Sequence, residues 1–359
     1  MIIFNLPIFF VYFSFLSIFS RKFKVVTSLI MLLMITLISG TRYYSDIDYG
    51  PYIELFNDTP SFFNLSVTDF LILYGEPGYL VFTSLIKSLG FDFVAVTIVF
   101  SLFSVALKLY ICSRLVSNYL FAFSLFLCLH FLTVEFIELR WALSSALVMT
   151  AIFCEFKKRR KYFLAFIFLA SIFHYFSMLF LCVMLFRFFT FRNSIVIFCL
   201  SFLVALSYKI ITPSVAYSVD SNVYIIRRLF RYLNDPESSV GLFSYLRILM
   251  YFAVVISVYY FKDRFSAFDI NLAKYSSLLV SVALLISFVP LLYFRSMVVS
   301  DYFMLIVMTI LIFKFKLIYR CLFIVALILL FSTWNIIDVS NYEAAGYIFK
   351  YNSWLNFLI

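Results

Sequence analysis

The chain has 359 residues, of which 65% are hydrophobic and only 13% carry a charge. A soluble globular protein of this length needs a larger polar surface, so the composition excludes a soluble domain, and the recurrence of apolar segments along the chain excludes a soluble domain with one membrane anchor. The formal net charge of +10 does not indicate nucleic-acid binding, because much of the basic charge lies in short clusters beside apolar segments, as the positive-inside rule describes.

A membrane-spanning helix needs about 20 mostly apolar residues, and such segments recur along the whole chain. We therefore predict an all-α, polytopic transmembrane helical bundle of roughly ten spans, forming one integral-membrane domain over residues 1–359. The first segment lacks a basic start and a small-residue cleavage site, so we expect it to be retained. In chain order the apolar segments are Ile2–Ser20, Val25–Thr41, Phe93–Cys112, Tyr119–Val134, Leu139–Cys154, Tyr162–Phe189, Ser194–Ile211, Leu242–Phe261, Tyr275–Phe294, Met297–Phe313 and Leu317–Trp334.

Two polar stretches interrupt these segments, at residues 42–92 and 212–241. We expect both on the outer side, because the basic clusters, among them Lys157–Lys161 and Lys262 with Arg264, should lie in the cytoplasm. This orientation requires that Pro77–Leu89 does not cross the membrane. With 13 residues it is too short to span comfortably, so we predict a short interfacial or re-entrant helix there.

The apolar segment Tyr162–Phe189 has 28 residues, which is long for one span, and His174 lies at its centre. One tilted helix would place the 212–241 loop inside, whereas two short halves meeting near His174 keep it outside. We favour the broken form, because irregular backbone at membrane depth is tolerated where it lines a cavity.

The outer side of this topology is rich in arginine. Seven of the ten basic residues placed outside are Arg, against eight of the 18 placed inside. The planar guanidinium group binds phosphate oxygens well, so the bias indicates an anionic ligand at the outer face.

Several outer segments carry candidate functional residues, and each also has a structural interpretation. The charged and tyrosine-rich exit of the second span could contact sugars and phosphate, or form an interfacial belt; its candidates are Arg42, Asp46, Asp48, Tyr49 and Tyr52. Glu76 precedes Pro77 and could be catalytic or a helix N-cap. Arg140 enters a membrane helix and needs a partner, for which Glu135 or Glu138 is available.

Three further groups complete the candidates. His174 could bind phosphate or carry a proton, and His130 is expected to be core; with only two histidines, a multi-His metal site is excluded and we predict no metal. Arg295 follows Pro290 at a predicted outer turn, with Asp301 and Tyr302 nearby. If the 212–241 loop forms a helix, three arginines would lie on one side of it and could bind substrate or anionic lipid. These are Arg227, Arg228 and Arg231.

The order and spacing of these groups resemble the EpsG family of polysaccharide-biosynthesis proteins, which is close to the Wzy O-antigen and capsule polymerases. The resemblance lies in Arg42 with Asp46, Asp48-Tyr49 and Tyr52, in Glu76-Pro77-Gly78-Tyr79, in Arg140 followed by Ala142, and in Phe173-His174 with Ser177. Arg295 and Tyr302 resemble a later Arg–Tyr pair more loosely. Trp141 stands where the family usually has Gln.

The resemblance implies a glycosyltransferase without cofactor or metal that joins undecaprenyl-pyrophosphate-linked oligosaccharide repeat units. The same lipid-linked oligosaccharide is donor and acceptor, and a chain-length regulator protein is a candidate partner. The resemblance also implies an active site on the periplasmic side of the bacterial inner membrane. Arg140 and Arg295 would meet the charge of the leaving pyrophosphate, with Arg42 in support, and His174, Glu76 or Asp48 would act on the acceptor hydroxyl.

Two other functions fit a polytopic protein with outer arginines. A flippase or transporter for the same lipid-linked glycan would place charges along a pathway through the bilayer and often shows a two-fold repeat of helices. A non-catalytic membrane component of a polysaccharide assembly machine would need the charges only for binding.

Overall fold

The computed structural model describes residues 2–16, 21–73, 75–211 and 242–354. Within these ranges the chain is helical, with two isolated β-bridges. Seven helices are long and apolar enough to cross a membrane, and three shorter apolar helices accompany them. The all-α, polytopic membrane fold predicted from the sequence is therefore confirmed.

The structure divides into two compact units, so that one integral-membrane domain over residues 1–359 stays a prediction. The first unit runs to Leu181 and resumes at Leu317. Its α-helices are α1 (Leu6–Leu16), α2 (Arg21–Gly40), α3 (Tyr49–Asp58), α4 (Asp69–Ile72), α5 (Pro77–Ser88), α6 (Phe93–Leu115), α7 (Tyr119–His130), α8 (Leu139–Phe156), α9 (Arg160–Phe173) and, after the second unit, α14 (Leu317–Ala344).

Small residues bring the helices of the first unit close together. A Cβ atom on Gly40 would lie 2.7 Å from the Ile98 Cα, so glycine lets the end of α2 approach the backbone of α6. Helix α8 packs along α9 and α6, and the hydroxyl of Ser144 donates to the Ala170 carbonyl at 2.9 Å. Such small faces are typical of helix packing inside membranes, where the backbones must approach for contact.

The two irregular segments predicted in the first unit are present. Helix α5 has 12 residues, about 18 Å of helix against a hydrocarbon core of about 30 Å, so it cannot cross the membrane. Helix α9 ends at Phe173, His174 is extended, and a 3₁₀ helix follows over Tyr175–Phe188. The break at His174 is therefore confirmed, whereas the return of the chain to the same membrane face stays a prediction.

The second unit spans Cys182–Lys316 and contains α10 (Phe191–Ile211), α11 (Leu242–Tyr260), α12 (Ala267–Leu285) and α13 (Pro290–Lys314). The predicted division of its last two segments was wrong. Helix α12 ends before Pro290, and α13 begins at this proline, which is suited to the first helical turn because its missing N–H would be unpaired there anyway. Arg295 consequently lies inside α13 and not at a turn. Arg227, Arg228 and Arg231, with the rest of the 212–241 loop, lie outside the described residues.

Candidate active site

Several helix ends of the first unit meet at one end of its bundle. Arg42 follows the end of α2, and its guanidinium donates to the carbonyl of Ser39 at 2.7 Å and to that of Ile137, next to α8, at 3.4 Å. Helix α6 begins at the same place, where the Phe93 ring lies 5.3 Å from that of Tyr49. The fold thus brings together residues from the ends of α2 and α6 and from the segment before α8.

The centre of this end is an ion pair between Glu76 and Arg140. Glu76 is the N-cap residue of α5, yet its side chain makes no capping hydrogen bond. Its carboxylate accepts instead from the Arg140 guanidinium. Arg140 was predicted to need an acidic partner, and the structure corrects its identity from Glu135 or Glu138 to Glu76. The Arg140 side chain is 15% exposed, so the cation is shielded but reachable.

Two tyrosine rings line the guanidinium of Arg140. Its Cζ atom lies 5.3 Å from the centre of the Tyr52 ring and 5.7 Å from that of Tyr79. The Arg140 Nε also approaches the Tyr52 hydroxyl oxygen at 3.5 Å. Aromatic faces stabilise a cation and restrict its side chain, so Arg140 is held in place by Glu76 and by two rings.

Asp48 adds a second carboxylate to the cluster. It lies between α2 and α3, and Glu138, Arg42 and Arg140 are close enough to act on it electrostatically. Burial, and then the negative charges of Glu138 and Asp46, raise the pKa of Asp48 to about 6, against the opposing effect of the two arginines. A carboxylate that titrates near neutral pH can accept a proton in a reaction and release it again.

The sequence Glu76-Pro77-Gly78-Tyr79 packs against the break at His174. A Cβ atom on Gly78 would lie 2.9 Å from the carbonyl oxygen of Ile172, so glycine lets the first turn of α5 touch the last turn of α9. The imidazole of His174 is buried, with its ring 5.3 Å from that of Trp141. The break therefore lies beside both Glu76 and the residue that follows Arg140.

Other predicted residues form the framework behind this cluster. Arg42 is fully buried and its Nε donates to Asp46 at 2.7 Å, while Asp46 accepts from the Asp48 backbone N–H at 3.0 Å. The Tyr49 hydroxyl accepts from the Trp354 indole at 2.7 Å. These contacts orient Asp48, and direct contact of Arg42, Asp46 or Tyr49 with a substrate stays a prediction.

A C-terminal segment that the sequence did not single out covers this framework. Residues 347–354 run antiparallel to residues 41–47, with bridges from Arg42 to Ser353 and from Asp46 to Ile348. The Ser45 hydroxyl also donates to the Asn352 carbonyl at 3.1 Å. The pairing is between isolated residues of loops, so no alternating strand pattern was available to predict it.

A buried ion pair below the site was also missed. Glu135 lies on a π-helix over Phe131–Ile137 and pairs with Lys108 of α6 at 2.5 Å, with both side chains fully buried. The Ser104 hydroxyl and the Lys108 ammonium group both donate to the carbonyl of Ala142, at 2.9 and 3.1 Å. These hydrogen bonds hold the first turn of α8, which carries Arg140, against α6. A π-helical turn within a helix is frequently found at functional sites.

The second unit holds Arg295 and Tyr302 on α13. Asp301, predicted to act beside Arg295, forms a buried ion pair at 2.8 Å with Arg247 of α11. Tyr302 is buried within the unit. Roles of Arg295 and Tyr302 in substrate binding or catalysis stay predictions. Among the described residues, no three His, Cys, Asp or Glu side chains are grouped so that they could hold a metal ion.

The comparisons with known proteins agree with the resemblance seen in the sequence. No curated protein and no solved structure matches the chain. The model of the EpsG family matches residues 25–353, which cover most of the first compact unit, the whole second unit and the Glu76–Arg140 cluster. A membrane protein of polysaccharide biosynthesis is the function class that this match supports, and the chain belongs to the EpsG family.

Proposed function

We propose that this protein is a glycosyltransferase that joins undecaprenyl-pyrophosphate-linked oligosaccharide repeat units at the periplasmic face of the inner membrane. The observation that carries the proposal is the Glu76–Arg140 ion pair, held by tyrosine rings at the end of a membrane bundle. An arginine in this position can bind the pyrophosphate of a lipid-linked substrate while the lipid chain stays in the bilayer.

Arg140 is the residue proposed to stabilise the negative charge of the leaving pyrophosphate. When the donor's anomeric C–O bond breaks, the electron pair stays on the pyrophosphate, whose negative charge increases. A guanidinium that is already oriented stabilises this charge without reorganising during the reaction. Glu76 keeps Arg140 oriented in the empty site, and the pyrophosphate takes its place on the guanidinium when substrate binds.

Asp48 is the proposed general base. The acceptor sugar hydroxyl forms the new bond to the anomeric carbon, and its proton passes to the Asp48 carboxylate. The pKa of Asp48, which burial and neighbouring negative charges raise to about 6, makes it a stronger proton acceptor than an exposed carboxylate while it stays ionised at neutral pH. Glu138 and Tyr52 lie next to Asp48 and Arg140 and are proposed to contact the sugars.

The remaining candidates have supporting roles in this proposal. Arg42, Asp46 and Tyr49 position Asp48 through the contacts described above. His174, next to Trp141, is an alternative proton carrier to Asp48. Arg295, Tyr302, Arg227 and Arg228 are proposed to bind pyrophosphate or sugar.

The decisive experiment is polymerisation of a defined lipid-linked repeat unit by the purified protein in lipid nanodiscs. We expect lengthened lipid-linked glycans, whose formation a chelator does not prevent. The Arg140→Ala variant should lose about 10²- to 10³-fold in rate, as removal of one preorganised charge-stabilising group does elsewhere. Arg114→Ala is the matched control, because Arg114 is exposed at the other end of α6. Full activity of Arg140→Ala, or no product from the native protein, would contradict the proposal.

A flippase is the second candidate, and it is favoured by charges that lie within apolar helices. Lys108–Glu135 and Arg247–Asp301 are both buried pairs on such helices, as a transport pathway would require. In cells, loss of a flippase traps single repeat units inside, whereas loss of a polymerase delivers single units outside. The location of single units in the Arg140→Ala strain therefore separates the two functions.

A further inference from the structure

The segment between α3 and α5 exposes large apolar side chains that the proposed reaction does not use. Phe63 is 91% exposed, Leu71 83%, Ile72 79% and Val67 78%. Isolated exposed apolar residues are ordinary, but several within ten residues mark a surface that is covered by something.

This segment is folded, so its exposed residues do not result from a lack of structure. The Phe62 N–H donates to the Ser88 hydroxyl at 2.6 Å, and the Ser84 hydroxyl donates to the Pro60 carbonyl at 2.7 Å. Further along, the Asp69 carboxylate accepts from both the backbone and the hydroxyl of Ser66, each at 2.7 Å. These hydrogen bonds hold the start of the segment against α5 and order its turn at Ser66–Asp69, while the apolar side chains stay exposed.

The segment also lies where a bilayer surface must be. Helices α2 and α6 are both candidate spans, and none of the described helices between them is long enough to cross the membrane, as the 10 residues of α3 and the 12 of α5 show. The chain therefore leaves and re-enters the membrane on the same face. Leu85 and Leu89, one turn apart at the end of α5, are also exposed and extend the apolar surface towards the start of α6.

We propose that the interfacial patch, formed by Phe63, Val67, Leu71, Ile72, Leu85 and Leu89, inserts into the phospholipid bilayer that the chain spans. The patch then lies at the boundary between the lipid headgroups and the acyl chains. The attraction is apolar and not electrostatic, because Lys87 is the one basic residue over positions 43–89 while Glu54, Asp58 and Asp69 are acidic. The Lys87 ammonium group already donates to the carbonyls of Phe56, Asn57 and Thr59. Binding should therefore not depend on anionic lipid.

The part of the patch on α4 lies close to the candidate site. Leu73 follows α4 and accepts from the Gly75 N–H at 2.9 Å, and Glu76 comes next. Insertion of the patch would therefore place the Glu76–Arg140 pair beside the membrane surface, where the headgroup of a lipid-linked substrate lies. The proposal itself concerns lipid contact and does not depend on polymerase activity.

The test uses tryptophan at Phe63 in the full-length protein, in nanodiscs of zwitterionic phospholipid without any polyprenyl lipid. The difference in fluorescence between Phe63→Trp and the native protein reports the added indole. We expect blue-shifted emission that acyl-brominated phospholipid quenches, with no change when anionic lipid is added. Glu54→Trp is the control, because Glu54 is exposed on α3 and its indole should emit as in water without quenching.

Two results would overturn the proposal. Emission of Phe63→Trp that matches Glu54→Trp would show that the segment lies in water. Blue-shifted emission without quenching by brominated lipid would show that protein, such as a second copy of the chain, covers the patch. Leu71→Trp provides an independent reading from α4, and it should behave as Phe63→Trp does.

Discussion

The carboxylate of Glu76 is ion-paired with the guanidinium of Arg140, which lies 64 residues further along the chain. Glu76 occupies the N-cap position of α5 but makes no side-chain cap, so its negative charge is directed to the arginine and not to the helix end. In the proposed reaction this carboxylate is the group that an incoming pyrophosphate displaces.

Replacement of Glu76 by Gln tests this exchange. The glutamine keeps the size of the side chain but removes the charge that competes with the ligand for Arg140. We expect inorganic pyrophosphate, titrated against the purified protein, to bind about tenfold more tightly, which corresponds to about 1.4 kcal/mol. Glu54→Gln is the control, because Glu54 is exposed on α3. Weaker pyrophosphate binding by Glu76→Gln would show that Glu76 assists the ligand and does not compete with it.

The pH dependence of the reaction tests Asp48. As general base it must be ionised, so the rate of polymerisation should rise with pH and reach half its maximum near the Asp48 pKa of about 6. Asp48→Asn should remove this acidic limb and lower the rate by about 10²- to 10⁴-fold. If the limb stays near pH 6 in the asparagine variant, another group is the base, and His174→Gln becomes the informative substitution.

The same pKa has a consequence for stability. Burial raises the pKa of Asp48 from its usual value of 3.8 to about 6 in the folded protein, so the protonated carboxyl is favoured by folding. Its contribution to stability is fully present below the unfolded pKa and is lost as the pH rises through the folded one. Asp48→Asn should therefore flatten the decline of thermal stability between about pH 4 and 6.

The sequence predicted the irregular parts of the fold because topology constrained them. Once the basic run Lys157–Lys161 was placed inside, Pro77–Leu89 could not be a span. A break near His174 was favoured over one tilted helix because it keeps the 212–241 loop outside. The short helix and the break are both present. The need of Arg140 for a carboxylate was also predictable. Its identity was not, because Glu76 reaches Arg140 through the packing of α5, and local spacing favoured Glu135 and Glu138.

Lys108 and Glu135 show the limit of sequence reasoning more clearly. Lys108 lies in the apolar segment Phe93–Cys112 and Glu135 directly follows Tyr119–Val134, and nothing in their spacing of 27 residues indicates a pair. Only the packing of α6 against the π-helix and α8 brings the two charges together. The pairing of residues 347–354 with the exit of α2 was missed for the same physical reason, since it depends on contacts between segments that are far apart in the sequence.

The Lys108–Glu135 pair can be tested by comparing single and double replacements. Lys108→Met leaves a buried carboxylate without its partner, which should lower the free energy of unfolding in detergent by about 3–5 kcal/mol. The double variant Lys108→Met/Glu135→Leu removes both charges and should recover most of that loss, because well-packed apolar residues often replace a buried pair at little cost. Equal losses in the single and double variants would mean that the unpartnered Glu135 carboxylate is not the cause of the destabilisation.

Gly78 offers a direct test of the contact between α5 and the His174 break. In Gly78→Ala the new methyl group would lie 2.9 Å from the Ile172 carbonyl oxygen, so α5 must move away from α9. Overpacking of this kind costs about 1–3 kcal/mol, and the displacement should also shift Glu76 and lower the polymerisation rate. Gly50→Ala is the matched control, because a Cβ atom at Gly50 meets nothing within 4 Å and alanine favours helix by about 0.5–1 kcal/mol. Gly50→Ala should therefore be slightly more stable and fully active, whereas Gly78→Ala should be less stable and slower. If both variants behave alike in unfolding and in activity, the close approach of α5 to α9 does not position Glu76, and the ion pair with Arg140 must be held by α5's other contacts.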